Sequence, residues 1–157
     1  MTLSEIEHAP FRHQVSIRVQ ASAEAIFSEL AEPARWLNWF PLMHKCAWSS
    51  QETAAVGAER EVALYVLGRF RERMVAWDPN ARLAFTMIGS TSPLASQMAE
   101  DHQLVSLPGG ITRFDYAAAL VLTPAGRVAA PVLRRVLSAL VTRACRNVER
   151  VLAPGTV

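Results

Sequence analysis

The sequence predicts an α+β fold in which seven antiparallel strands are closed by one long helix, and three observations carry that expectation. A stretch of period two opens the chain, short apolar runs separated by turn residues fill its middle, and apolar residues at helical spacing fill its last quarter. With 157 residues, 51% of them hydrophobic and 19% charged, the chain has the length and core material of one domain spanning 1–157.

The first strand is expected at 12–21, where Val15, Ile17 and Val19 alternate with Gln14, Ser16, Arg18 and Gln20. Ser22 then suits the N-cap of a short helix over 23–31, with Glu24 at its positive end. Glu32-Pro33 breaks that helix, and Pro33 opens a second helical turn carrying Arg35, Trp36, Leu37, Trp39 and Phe40 before Pro41 stops it. Beyond it, Gly57, Gly68, Asp78-Pro79-Asn80, the segment 89–93 and Pro108-Gly109-Gly110 punctuate six strands, at 44–52, 58–66, 70–77, 82–88, 96–107 and 111–122. Short turns between them imply an antiparallel meander. Leu133, Val136, Leu137, Leu140, Ala144, Val148, Val151 and Leu152 recur at i, i+3, i+4 and i+7, which predicts a helix over about 128–152. Its other side carries Arg134, Arg135, Arg143, Arg146 and Arg150, read as a solvated face. Residues 1–11 and 154–157 are expected to be tails, with Pro154-Gly155 ending the helix.

Composition excludes several functional classes. A net charge of +2 is too small to grip a phosphate backbone, so no nucleic-acid partner is expected. Cys46 and Cys145 stand alone, without a CxxC or His-rich neighbourhood, which argues against a disulfide framework or a structural zinc site and for the cytoplasm. The first fourteen residues hold two acidic side chains and no apolar run, so no secretory leader is expected, and no stretch approaches the ~18 apolar residues of a stable membrane insertion. His8, His13, His44 and His102 show no paired ligand spacing, no Gly-rich phosphate loop precedes a helix, and no GxSxG elbow occurs. Neither a metal nor a cofactor is expected.

Local words then point to a family. The opening Val15-Ser-Ile-Arg-Val-Gln-Ala-Ser-Ala-Glu-Ala-Ile-Phe27 and Trp36-Leu-Asn-Trp-Phe-Pro41 resemble the START/Bet v 1-like (SRPBCC) superfamily, in its polyketide cyclase/dehydrase and lipid-transport branch. Val75-Ala-Trp-Asp-Pro79 with Arg82-Leu83, and Gly109-Gly-Ile-Thr-Arg-Phe-Asp-Tyr116, look like that branch's later strands and its Gly-Gly-Thr hairpin, with Ile111 inserted before Thr112. The resemblance covers about 12–153. It implies a helix-grip fold, a curved seven-stranded sheet wrapped around the C-terminal helix with two short helices after the first strand. It also implies a cavity between sheet and helix. The superfamily spans carriers, cyclases, receptors and chaperone activators, so the fold leaves function open.

Strand parity nominates what faces that cavity. On 111–122, Thr112, Phe114, Tyr116, Ala118 and Leu120 form the apolar set; on 96–107 the even set, Met98, Glu100, His102 and Leu104, matches an inner face best. Arg60 lies on the apolar side of its strand with Val62, Leu64 and Val66. Arg69, Arg71 and Arg73 alternate with Phe70, Glu72 and Met74, and the facing of that row depends on the turn at Gly68; a solvated face pairing with Glu59 and Glu61 is the default. Trp36, Trp39 and Phe40 either gate the cavity or pack the short helices; His44 is read as a surface residue and Cys145 as core.

The expected ligand-binding set is therefore Trp36, Phe40, Arg60, Leu64, Phe85, Met98, His102, Phe114, Tyr116, Leu137, Leu140 and Ala144. His102, Glu100, Arg60 and Tyr116 are the catalytic candidates. In an aldol-type cyclisation, His102 or Glu100 would move the α-proton and Arg60 and Tyr116 would steady the enolate oxygen. The leading expectation is a binder of a small hydrophobic, lipid-like or polyketide-like molecule. A polyketide aromatase/cyclase is the alternative, and an accessory module whose outer surface meets a protein partner is the third class.

Overall fold

In the computed structural model, which describes residues 1–153, seven strands form one antiparallel sheet in the order β1-β7-β6-β5-β4-β3-β2. The strands are β1 (Phe11–Val19), β2 (Met43–Trp48), β3 (Glu59–Leu64), β4 (Gly68–Asp78), β5 (Arg82–Ser90), β6 (Ala95–Leu107) and β7 (Ile111–Leu122). Consecutive strands from β2 to β7 pair, through short turns except for the ten-residue connection between β2 and β3, and β1 pairs with β7 along all of β1, with Val15 opposite Tyr116. At the turn between β6 and β7 Gly109 and Gly110 both take positive φ, which glycine adopts at little steric cost. Register shifts at Arg71/Glu72 and Met74/Ala76 bend β4 against β5 and help the sheet curve.

Helices α2 (Ala23–Ala31), α3 (Trp36–Trp39) and α5 (Ala130–Leu152) follow the expected pattern, with a 3-10 turn at Pro33–Arg35 leading into α3, and an unexpected short helix, α4 (Pro124–Val128), lies before α5. The Ser22 hydroxyl accepts from the Ala25 backbone N–H and caps α2, while Thr123 does the same for α4 through Gly126. The helix expected over about 128–152 is α5, and the short α4, which ends at Val128, precedes it. None of the described helices is long and apolar enough to cross a membrane.

The core lies between the concave face of the sheet and α2, α3 and α5. The two halves of α5 differ. Val141, Ala144, Cys145 and Val148 are fully enclosed, and Asn147 Nδ2 donates to the Trp39 carbonyl oxygen at 2.8 Å, tying that end to α3. Leu133, Leu137 and Leu140, one and two turns earlier, are only half-buried, because here the helix stands off the sheet. The arginines of its outer side, Arg134, Arg135, Arg143, Arg146 and Arg150, are exposed.

Three expectations need correction. The N-terminal tail over 1–11 contains a helix, α1 (Leu3–His8), which seats Ile6 against Ala99, Ala117 and Ala119 on the outer face of the sheet; those alanines leave room for it. The strand expected at 58–66 stops at Leu64, and Val66 sits in the following turn at φ 71°, almost wholly exposed. The second strand ends at Trp48 instead of 52. The expected tail at 154–157, including the Pro154-Gly155 stop, lies outside the described residues.

Candidate functional site

Where the first half of α5 stands off, a cavity of about 110 Å3 opens against β6 and β7. Its wall is hydrocarbon from Phe40, Leu64, Phe70, Met98, Leu137 and Leu140, among others, and Glu100 is the one ionisable side chain in it. A recess of about 40 Å3 adjoins it, sharing Phe40, Leu64, Phe70, Met98 and Glu100 and adding Trp36, Arg60, Glu72 and Phe85. Together they approach the roughly 150 Å3 that suffices for a benzene-sized body. A larger open groove of about 920 Å3 runs along the outer side of α5 past Arg135, Arg143 and Arg146. Solvated cations and short polar groups line that groove, and it does not enclose an apolar body.

The charged floor of the recess is an ion pair across β3 and β4. Arg60 stands opposite Glu72 in the register, and its Nε donates to Glu72 Oε2 at 2.7 Å, both side chains being almost inaccessible. The faces of the guanidinium are covered by the Trp36 and Phe85 rings, each with its centroid 4.2 Å away. Arg60 Nη2 has no hydrogen-bond partner among the described residues. Burial raises the Glu72 carboxyl and the guanidinium opposes that shift.

Deeper lies a second cluster on β6 and β7. The Tyr116 hydroxyl donates to Glu100 Oε2 at 2.5 Å, and the His102 ring packs 4.3 Å from the Tyr116 ring. His102 Nδ1 lies 3.2 Å from the Leu83 carbonyl oxygen, so Nδ1 carries the proton and Nε2 is left as a bare acceptor, 3.7 Å from Glu100 Oε2. Burial, with a smaller push from Arg60, lowers His102 to about 3. Burial, and then the nearby Glu72 carboxylate, pushes Glu100 up to about 8, against the pull of the Tyr116 hydrogen bond and of Arg60. At neutral pH Glu100 is a carboxylic acid and His102 a neutral imidazole.

The expected site residues fall into three groups. Phe40, Leu64, Met98, Leu137 and Leu140 line the cavity, and Trp36, Arg60 and Phe85 line the recess, as does Glu100. His102, Phe114, Tyr116 and Ala144 point inward as parity required but lie beneath the cavity floor, in the packed core. None of these four lines either space, and Tyr116 and His102 adjoin the cavity through Glu100. Trp36 and Trp39 are packed core side chains, Trp36 donating from its indole N–H to the Leu30 carbonyl oxygen at 2.8 Å. The row Arg69, Arg71, Arg73 faces outward, with Arg73 bound to Glu59. His44 is exposed and stacks on Tyr65. Glu72, Phe70, Leu94 and Ala95 were not foreseen; the signal for Glu72 was the single buried Arg60, which needs an acid across the hairpin.

Comparison with known proteins is consistent along nearly the whole chain. A family model described as polyketide cyclase / dehydrase and lipid transport matches residues 10–153. An uncharacterised protein of Mycobacterium tuberculosis is 29% identical over 150 residues, 94% of this chain and 88% of that one. Among solved structures, a START superfamily protein from Mycobacterium smegmatis superposes with a TM-score of 0.75 at 13% identity, covering 90% of this chain and 96% of that one. The Zhui aromatase/cyclase of a Streptomyces species does so at 0.69 and 17%, covering 90% of each.

Proposed function

We propose that this chain, which belongs to the polyketide cyclase/dehydrase and lipid-transport family, binds a small hydrophobic molecule in the cavity between its sheet and α5. One observation carries the reading: an apolar space with a single ionisable side chain, Glu100, in its wall. That is the composition of a site that holds a ligand by burial and orients it through one polar contact. A ligand larger than about a benzene ring requires Leu137, Leu140 or Met98 to move, and the half-buried start of α5 is where the helix is least tied down.

Titration with toluene, followed by NMR, tests the binding. Signals of Leu64, Met98 and Leu137 should shift, and Leu137→Trp, whose indole would fill the space, should abolish the shifts. Shifts that are absent, or unchanged in the filled variant, contradict the reading.

The aromatase/cyclase alternative is favoured by one feature. A carboxyl that titrates near pH 8 both gives and takes a proton at neutral pH, as ring closure of a β-ketone chain demands. In this reading Glu100 is the proton-transfer group, and Tyr116 and His102 position it. Arg60, already held by Glu72, supports the wall and is not the enolate donor. Turnover of a linear poly-β-ketone by the wild type and its loss in Glu100→Gln would favour this reading over simple binding.

A further inference from the structure

We infer that the cavity selects a compact, neutral molecule bearing a carbonyl oxygen and rejects the matching carboxylate, an inference that rests on the binding reading above. The wall of cavity and recess contains three ionisable groups, Arg60, Glu72 and Glu100. One guanidinium therefore faces two carboxyl groups, and it is bound to Glu72. With Glu100 neutral the wall carries no net charge. Ionised Glu100 would be a second buried anion for the same cation, and a ligand carboxylate would meet the same penalty in a space lined by hydrocarbon.

The unused hydrogen-bonding capacity of Glu100 has one sense. Tyr116 occupies Glu100 Oε2, while Oε1 has no protein partner among the described residues and the side chain keeps 9% of its surface open. A neutral Glu100 thus directs its O–H from Oε1 toward the cavity. Arg60 Nη2 is also an unpaired donor, but it is sealed beneath the Trp36 and Phe85 rings and out of a ligand's reach. A carboxylic O–H donor in a wall without a free cation complements a neutral acceptor such as a ketone.

The groups facing Glu100 are Arg60 on β3, Glu72 on β4, His102 on β6, Tyr116 on β7 and Cys145 on α5. Burial keeps the Cys145 thiol up at about 12 and the Tyr116 hydroxyl well above 10, and His102 is neutral from about pH 3 upward. Between pH 7 and 9 the ionisation of Glu100 turns a donor into an anion, and the Glu100→Gln variant separates it from Glu72, whose carboxyl burial also raises.

The test uses three ring compounds of similar size, acetophenone, benzoate and ethylbenzene, titrated separately into the whole chain and followed by NMR. At pH 7 acetophenone should bind about 10-fold or more tighter than benzoate and about 2- to 10-fold tighter than ethylbenzene. Glu100→Leu should bring acetophenone down to the level of ethylbenzene, and Glu100→Gln, whose amide still donates, should keep the preference. Raising the pH from 7 to 9 should weaken acetophenone several-fold in the wild type and leave Glu100→Gln unchanged. Benzoate binding as tightly as acetophenone, or an acetophenone preference that survives Glu100→Leu, overturns the inference while ethylbenzene binding still upholds the cavity. Failure of all three compounds overturns the binding reading itself, and this inference with it.

Discussion

Replacing Glu100 by Gln should remove a fall in stability that the wild type shows between pH 6.5 and 8. In the unfolded chain Glu100 titrates at its ordinary 4.5 and in the fold at about 8, so the folded state holds this proton more tightly. The stability it contributes is fully present below pH 4.5 and is lost as the pH climbs to about 8. His102 runs the other way: its ordinary 6.5 falls to about 3 in the fold, so its contribution grows with pH across that range and is complete above 6.5. From 4.5 to 6.5 the two slopes oppose each other, and from 6.5 to 8 Glu100 acts without His102. One proton is worth about 1.4 kcal/mol per pH unit, so the interval costs the wild type about 2 kcal/mol, or about 4–8 °C in Tm for a domain of this size. Glu72 is shifted in the same direction but is present in both proteins, so their difference isolates Glu100. The Gln oxygen still accepts from Tyr116, which keeps the packing. Urea unfolding followed by tryptophan fluorescence at pH 6.5, 7, 7.5 and 8 measures the effect. A wild type whose stability is flat or rising over that range, or a variant that falls as steeply, refutes the assignment of a neutral Glu100.

Tyr116→Phe deletes the hydroxyl that holds Glu100 Oε2; chemical unfolding should show a loss of about 1 kcal/mol, and the stability fall should move to higher pH because that bond lowers the Glu100 pKa. Arg60→Met alone should cost about 3–5 kcal/mol by leaving Glu72 buried without its partner, and Arg60→Met with Glu72→Leu should recover most of it in the same assay. Val148→Asp should unfold the protein, whereas Leu140→Asp should be milder because Leu140 is half-buried at the cavity; circular dichroism distinguishes them. Gly126→Ala should lower Tm, because a Cβ there collides with the Leu94 carbonyl oxygen and forces α4 and the cavity rim apart.

Much of the fold was legible because period two and period 3.6 are local signals. The seventh strand was expected at 111–122 and occupies Ile111–Leu122, and the even positions of β6 face inward as parity required. Parity says which way a side chain points but not how deep it sits. Tyr116 and His102 both point inward, yet both are sealed in the packed core and neither lines the cavity. Glu72 escaped for a different reason: its facing depends on the length of the 65–67 turn, where a change of one residue flips the strand. Helix α1 was illegible because six residues make no stable helix alone, and Ile6 is held by alanines about ninety or more positions away.

The most direct test of the account is native mass spectrometry of the protein released gently from its host, with Leu137→Trp prepared in parallel. The wild type should carry a small, uncharged, largely apolar molecule that the filled variant lacks, the two being equally folded by circular dichroism. A wild type that is empty under these conditions, or a variant that retains the same molecule, would contradict the claim that the space beneath the first half of α5 is a binding site.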